Sequence, residues 1–356
     1  MKKVLFLPFL KMPSGHHQTA KALASWIKTY DKSIICESVD IFSFAFQKTE
    51  AFISRSYLYA IQYLPSFYSW LYRKNACENQ EKGRFLFYEL LFEREMAKLI
   101  REKQPDWLIC THALPSYILN RLKLKQHIDL PIVNVYTDYF INSVWGTEAI
   151  DFHLVPDTSF KEQLMQRGVN ERSIFVTGIP LHPSIQRSES FNHTFSKYNL
   201  LVAGGSLGVG GIQSFIRKLT PFENIHFYVL CGKNKRLYET LKNMNESHVT
   251  PLPYIQNPRE MNGIYEQMNG IITKPGGVTV TESLYKHIPI FIYHTLPGQE
   301  EMNFSYLSAN GLAYDLRRPK EECIGQAVLT YLSDDKEMGN YKKRLAFFRK
   351  GLLIRI

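Results

Sequence analysis

The residues with the most chemical meaning lie in two stretches of the C-terminal third, Thr273-Lys274-Pro275-Gly276-Gly277-Val278-Thr279-Val280-Thr281-Glu282 and Pro297-Gly298-Gln299-Glu300-Glu301-Met302-Asn303. Glycines followed by Thr279 and Thr281 suit a helix N-terminus, whose unpaired amides and positive dipole end accept a diphosphate. Glu282, one turn on, can accept hydrogen bonds from ribose hydroxyls, and Gln299 and Glu300 offer polar groups to a sugar ring. Either stretch alone would read as a turn before a surface helix. Together, separated by one helix and one strand, they point to a shared ligand site. A second glycine loop, Ala203-Gly204-Gly205-Ser206-Leu207-Gly208-Val209-Gly210-Gly211, follows an apolar run and precedes a helix, so Gly204, Gly205, Ser206 and Gly208 are candidates for phosphate contact. Its spacing is neither the dinucleotide fingerprint nor a Walker A loop.

Two residues nearer the N-terminus suit proton transfer. His16, in Pro13-Ser14-Gly15-His16-His17, stands between a first strand and a helix, and His17 beside it is a possible substitute. Asp138, in Tyr136-Thr137-Asp138, follows a strand and could orient the histidine or act as the base itself. The chain has no D-x-D, no H-E-x-x-H and no cysteine cluster, so no metal site is expected and a leaving diphosphate would rely on backbone amides and a helix dipole.

The elements that must position these groups are short apolar runs alternating with longer periodic segments. The runs are Val4 to Leu10, Trp107 to Cys110, Ile132 to Tyr136, Phe152 to Val155, Leu200 to Ala203, His226 to Leu230, Gly270 to Thr273 and Ile288 to Tyr293. Uninterrupted apolar strands between helices indicate an α/β chain with parallel sheets covered on both faces, which bind ligands beyond the strands' C-terminal ends. At 356 residues two domains are expected. The polar stretch after Pro183 places the seam between a domain of residues 1–185 and one of 196–335, followed by a charged helix over 336–356.

Lys and Arg outnumber Asp and Glu by 43 to 33, and the excess is spread over both halves, which favours an anionic small substrate or membrane surface over nucleic acid. Five scattered cysteines without a C-x-x-C pair suggest a reducing compartment. No apolar stretch approaches the length needed to span a bilayer. The segment from Phe44 to Phe92 is the oddest part of the chain, with 14 aromatic residues among 49, interleaved with basic ones. Half of that weight goes to ordinary core helices; the sharper reading is a lipid-facing surface built on Tyr57, Tyr63, Trp70, Tyr72 and Arg73.

These motifs, with Gln104-Pro105-Asp106, Trp145 and Thr177-Gly178-Ile179-Pro180, resemble those of the processive diacylglycerol glucosyltransferases of bacteria and the plant monogalactosyldiacylglycerol synthases, over nearly the whole chain. The resemblance implies a GT-B fold, two Rossmann-like domains facing each other across a cleft. It also implies an inverting transfer of a hexose from a UDP-sugar, the donor substrate, to a lipid such as diacylglycerol or a glycosyldiacylglycerol, with no cofactor. Carried onto this chain it assigns Gly204 to Gly208, Lys274, Gly276, Gly277 and Thr279 to the donor diphosphate, Glu282 to the ribose, Gln299 and Glu300 to the sugar, and backbone near Ile255 to the uracil. It places the protein in the cytoplasm, peripheral on the inner face of the cell membrane. Where the family pattern has two further histidines, this chain has Asn142 and Thr147. A soluble acceptor, a UDP-sugar epimerase on the same fold and a non-catalytic UDP-sugar sensor are the alternatives.

Overall fold

The computed structural model describes residues 1–9, 14–45, 85–186, 197–204, 212–216, 219, 222, 224–296, 298–317 and 323–350. Two compact units divide between Pro183 and Ser184. The first unit carries β1 (Lys3–Leu7), α1 (Gly15–Tyr30), β2 (Ile35–Ser38), α2 (Ile41–Ala45), α3 (Leu86–Lys103), β3 (Trp107–Cys110), α4 (Ala113–Leu124), β4 (Ile132–Val135), β5 (Phe152–Val155), α5 (Thr158–Gln166) and β6 (Ile174–Val176). Its six strands are all parallel, in the order β2-β1-β3-β4-β5-β6. The chain therefore reverses its direction of build between β1 and β3, the switch point where α/β sheets open a crevice.

A helix that carries Ala20, Leu23, Ala24 and Ile27 presents one apolar stripe, and α1 lays it on Val4, Phe6, Ile109, Val133 and Val135. That packing holds the first turn of α1, with His16, at the C-terminal end of β1. The strand stops at Leu7, three residues short of the expected run, because Pro8 has no N–H for the ladder.

The second unit carries β7 (Tyr198–Ala203), α6 (Ile212–Ile216), β8 (Ile225–Leu230), α7 (Lys235–Met244), β9 (Val249–Leu252), α8 (Pro258–Glu266), β10 (Gly270–Thr273), α9 (Gly277–Tyr285), β11 (Ile290–Ile292), α10 (Gln299–Ala309), β12 (Tyr314–Asp315), α11 (Ile324–Leu332) and α12 (Asp335–Lys350). Its order is β12-β11-β10-β7-β8-β9, again all parallel, which puts the switch point between β7 and β10. The loops leaving those two strands are the two glycine stretches read from the sequence.

The tail helix expected as a separate element belongs to this unit. Tyr341 of α12 is buried and its hydroxyl donates to the Ile288 carbonyl at 3.2 Å, while Arg344 donates to Gly311 at 2.8 Å. The seam lies just ahead of the expected polar linker. No described helix is long and apolar enough to cross a membrane. Burial raises the thiols of Cys110 and Cys231, the latter to about 11, so neither is a reactive thiolate.

Candidate active site

In the first unit the residues at the switch point converge on one imidazole. His16 Nδ1 lies 2.8 Å from the Thr111 carbonyl, just past β3, and 2.7 Å from Thr137 Oγ1, just past β4. A carbonyl oxygen only accepts, so the proton of neutral His16 sits on Nδ1 and the Nε2 lone pair is left as the basic nitrogen. Thr137 Oγ1 in turn donates to the same Thr111 carbonyl at 3.3 Å. His16 is therefore oriented by a threonine and a backbone carbonyl. The neighbouring Asp138 is half-buried.

Two more imidazoles flank it. His112 caps α4 by accepting from the Leu114 amide at 3.2 Å, stacks on Phe9 with centroids 4.9 Å apart and turns its edge to His16 at 4.8 Å. Burial first, then His16 and His17, hold His112 well below the ordinary histidine range. His17 pairs with Ser14 at 3.1 Å and is pushed down to about 4 by burial, then by His16 and Lys21. Both stay neutral near pH 7, so His16 has uncharged imidazoles for neighbours. Sequence reasoning did not single out His112, Thr111 or the role of Thr137; they reach His16 from strands separated by about a hundred residues of chain.

Two motif residues hold structure in this unit. Asp106 accepts from the Lys3 amide at 2.5 Å and so ties the start of β1 to β3. Trp145 is buried with its ring 4.4 Å from that of Tyr136. The chain just after it is pinned to α4, where Gly146 donates to Ser116 Oγ at 3.0 Å and a side chain at that position would strike Asn120.

In the second unit, Gly276 caps α9 in extended conformation and its following amides open the helix. A Cβ built on Gly276 meets nothing within 4 Å, so the space beside the backbone there is open to a ligand. Asn303 of α10, fully buried, donates to the Pro275 carbonyl at 3.0 Å and clamps this loop. Lys274 and Glu300, from the two separate motifs, meet at 3.2 Å, and Glu300 also accepts from the Leu296 amide at 2.6 Å. Gly298, at φ +89, makes the turn that starts α10 and delivers Gln299 and Glu300, a backbone angle few other residues accept. Thr279 is half-buried on the first turn of α9, while Gly277 is buried beneath it.

Glu282 accepts from the Tyr265 hydroxyl at 2.8 Å, and burial raises it from 4.5 to about 7. Its folded form holds a proton that the unfolded chain releases from about pH 4.5 upward, so this residue's contribution to stability falls as pH rises toward 7 and is flat beyond. Glu282→Gln is expected to lose less melting temperature between pH 5 and pH 8 than the parent; parallel pH profiles for the two proteins would show that Glu282 is ionised throughout.

Not every expected donor residue gathers here. Gly204 is buried, and a side chain at that position would come within 2.7 Å of Ile212, so close packing of β7 on α6 accounts for that glycine. Ile255 is half-buried in the loop after β9, beyond the outer strand of the sheet, where the neighbouring Tyr254 ring lies 5.5 Å from Lys233 Nζ. Gly205, Ser206 and Gly208 lie outside the described residues, as do Tyr57, Tyr63, Trp70, Tyr72 and Arg73. Among the described residues no group of three or more His, Cys, Asp or Glu is arranged to hold a metal ion.

A family model described as Monogalactosyldiacylglycerol (MGDG) synthase matches residues 16–181, from the catalytic-site candidate His16 to the end of the first unit. The uncharacterized glycosyltransferase YkoN of Bacillus subtilis is 42% identical over 348 residues, covering 97% of this chain and 92% of that protein. The chain belongs to the monogalactosyldiacylglycerol synthase family of glycosyltransferases. Another relative in this family is the processive diacylglycerol beta-glucosyltransferase of Bacillus subtilis, 27% identical over 272 residues, with 74% of this chain and 70% of that protein covered. Among solved structures, Acinetobacter baumannii MurG superimposes with a TM-score of 0.58 at 14% identity over 99% of this chain and 96% of its own, a likeness of fold. The fold of this family member is GT-B, and its activity is glycosyl transfer.

Proposed function

We propose that the protein transfers a hexose from a UDP-sugar to the hydroxyl of a lipid, diacylglycerol or a glycosyldiacylglycerol, with inversion at the anomeric carbon. The observation that carries the chemistry is His16, whose Nδ1 proton is committed to Thr111 and Thr137 and whose Nε2 is basic. In this reading Nε2 takes the acceptor's hydroxyl proton as its oxygen bonds to the anomeric carbon. The bond from that carbon to the β-phosphate oxygen breaks, and UDP leaves with the electron pair. The amides at the start of α9 and the ammonium of Lys274 meet the charge that builds on the diphosphate. Single displacement turns an α-linked donor into a β-glycoside.

The lipid acceptor is supported by the relatives, whose names include processive diacylglycerol beta-glucosyltransferase, and by the aromatic and basic composition of residues 44–92. The same composition supports a peripheral place on an anionic membrane surface. The trial is incubation of the purified protein with radiolabelled UDP-glucose or UDP-galactose, diacylglycerol vesicles and a chelator. Labelled lipid with a β linkage is expected from at least one donor. Label found only on water-soluble products, or none beside an active relative run in parallel, defeats the lipid assignment.

A further inference from the structure

Tyr293 follows β11 directly and is used by none of the contacts above. It is 7% exposed, yet its hydroxyl is fully enclosed and makes no hydrogen bond to a described residue. Its amide lies 3.3 Å from the Thr273 carbonyl, which sets it beside the Lys274 loop at the C-terminal edge of the sheet. The ring rests 4.4 Å from that of Phe215 in α6, the helix that follows the glycine loop after β7. The negative charge of Glu300 acts on it and, after burial, raises its pKa, so the phenol stays protonated and is a hydrogen-bond donor near the Lys274–Glu300 pair.

A buried hydroxyl without a partner costs stability, and a phenylalanine would fill the same space without that cost. We infer that Tyr293 is a donor-binding residue whose hydroxyl hydrogen-bonds a hydroxyl of the transferred hexose beside Glu300. Its placement beside the Lys274 loop, within reach of the charge of Glu300, which the sequence assigns to the sugar, favours the hexose over the nucleotide. The inference rests on the UDP-sugar reading of this unit. It adds a residue that distinguishes the sugar-bearing donor from the bare nucleotide.

The test compares the parent with Tyr293→Phe by calorimetric titration with UDP alone and with UDP-glucose, UDP-galactose and UDP-N-acetylglucosamine. The variant is expected to bind UDP within twofold of the parent and to lose about tenfold in affinity for the sugar nucleotide that the parent binds best. Without ligand its melting temperature should equal or exceed the parent's, since the missing hydroxyl had no partner. Unchanged sugar-nucleotide affinity overturns the inference. An equal loss for UDP does so too, because the contact would then be to the nucleotide, and a lower melting temperature of the free protein would show a structural partner instead. If the parent binds no uridine compound, the UDP-sugar reading itself has failed and the inference falls with it; sugar-nucleotide binding by the parent with no difference in the variant isolates failure of the Tyr293 assignment.

Discussion

His16→Ala is expected to lower kcat by roughly 100- to 10,000-fold while the affinity for UDP stays within twofold, because in the proposed mechanism the lost group acts on the acceptor proton and the nucleotide is bound by the other unit. Steady-state rates at saturating donor, with calorimetric titration of UDP, measure both quantities. Asp138→Ala should cost less than His16→Ala. The hydrogen bonds that fix the His16 imidazole run to the Thr111 carbonyl at 2.8 Å and Thr137 Oγ1 at 2.7 Å, and they survive removal of the aspartate side chain. A folded His16→Ala protein that turns over at the parental rate would remove His16 from the mechanism. If Asp138→Ala proves the more damaging, the base is the carboxylate and the imidazole only supports it.

Lys286→Met should markedly destabilise the second unit. The Lys286 side chain, at the C-terminal cap of α9, is fully buried, and its ammonium donates to the Gln186 carbonyl at 2.8 Å, Asn262 Oδ1 at 2.9 Å and Glu266 Oε1 at 3.1 Å. Methionine fills a similar volume but strands the Gln186 carbonyl and weakens the tie from α8 to α9, a cost of about 2–3 kcal/mol. For a unit of this size that corresponds to roughly 5–10 °C in the melting temperature. Glu266→Gln should do much less. Its side chain is 50% exposed, and solvent-screened pairs contribute under about 1 kcal/mol. Scanning calorimetry at pH 7 reads both variants, and an unchanged second-unit transition in Lys286→Met would mean that the buried ammonium is replaceable.

The strands that sequence reasoning found and those it missed differ in one physical respect. Trp107–Cys110, Phe152–Val155 and Gly270–Thr273 were legible to the residue because interior parallel strands are covered on both faces and read as unbroken apolar runs. The four strands without such a run, β2, β6, β9 and β12, are the outer strands of the two sheets. Ile35-Cys36-Glu37-Ser38 is half open to solvent, and Val249-Thr250-Pro251-Leu252 carries a proline that an interior strand would exclude. The glycine loops were legible because both follow interior strands at a switch point. Lys274 and Glu300 were found separately, but their contact was not, since nothing local in either motif encodes a partner 26 positions away. The same holds for His16. Its residue type marked it, whereas Thr111 and Thr137 matter through the adjacency of β3 and β4, a property of strand order. Tyr293 looked like the end of an apolar strand, and nothing in its neighbours' types tells a packed phenol from one with an unused hydroxyl.

The architecture of the second sheet bears on how such proteins diversify. The groups proposed to meet the sugar, at Tyr293, Gln299 and Glu300, lie between the end of β11 and the first turn of α10, while β7, β10 and β11 form the buried interior of the sheet. Exchange of that stretch between relatives, if its contacts to Phe215 and Lys274 are kept, is expected to leave the hydrophobic foundation intact. On the proposed reading, carbohydrate preference is separable from foldability, and a lineage could change the sugar it hands over without having to reinvent the scaffold.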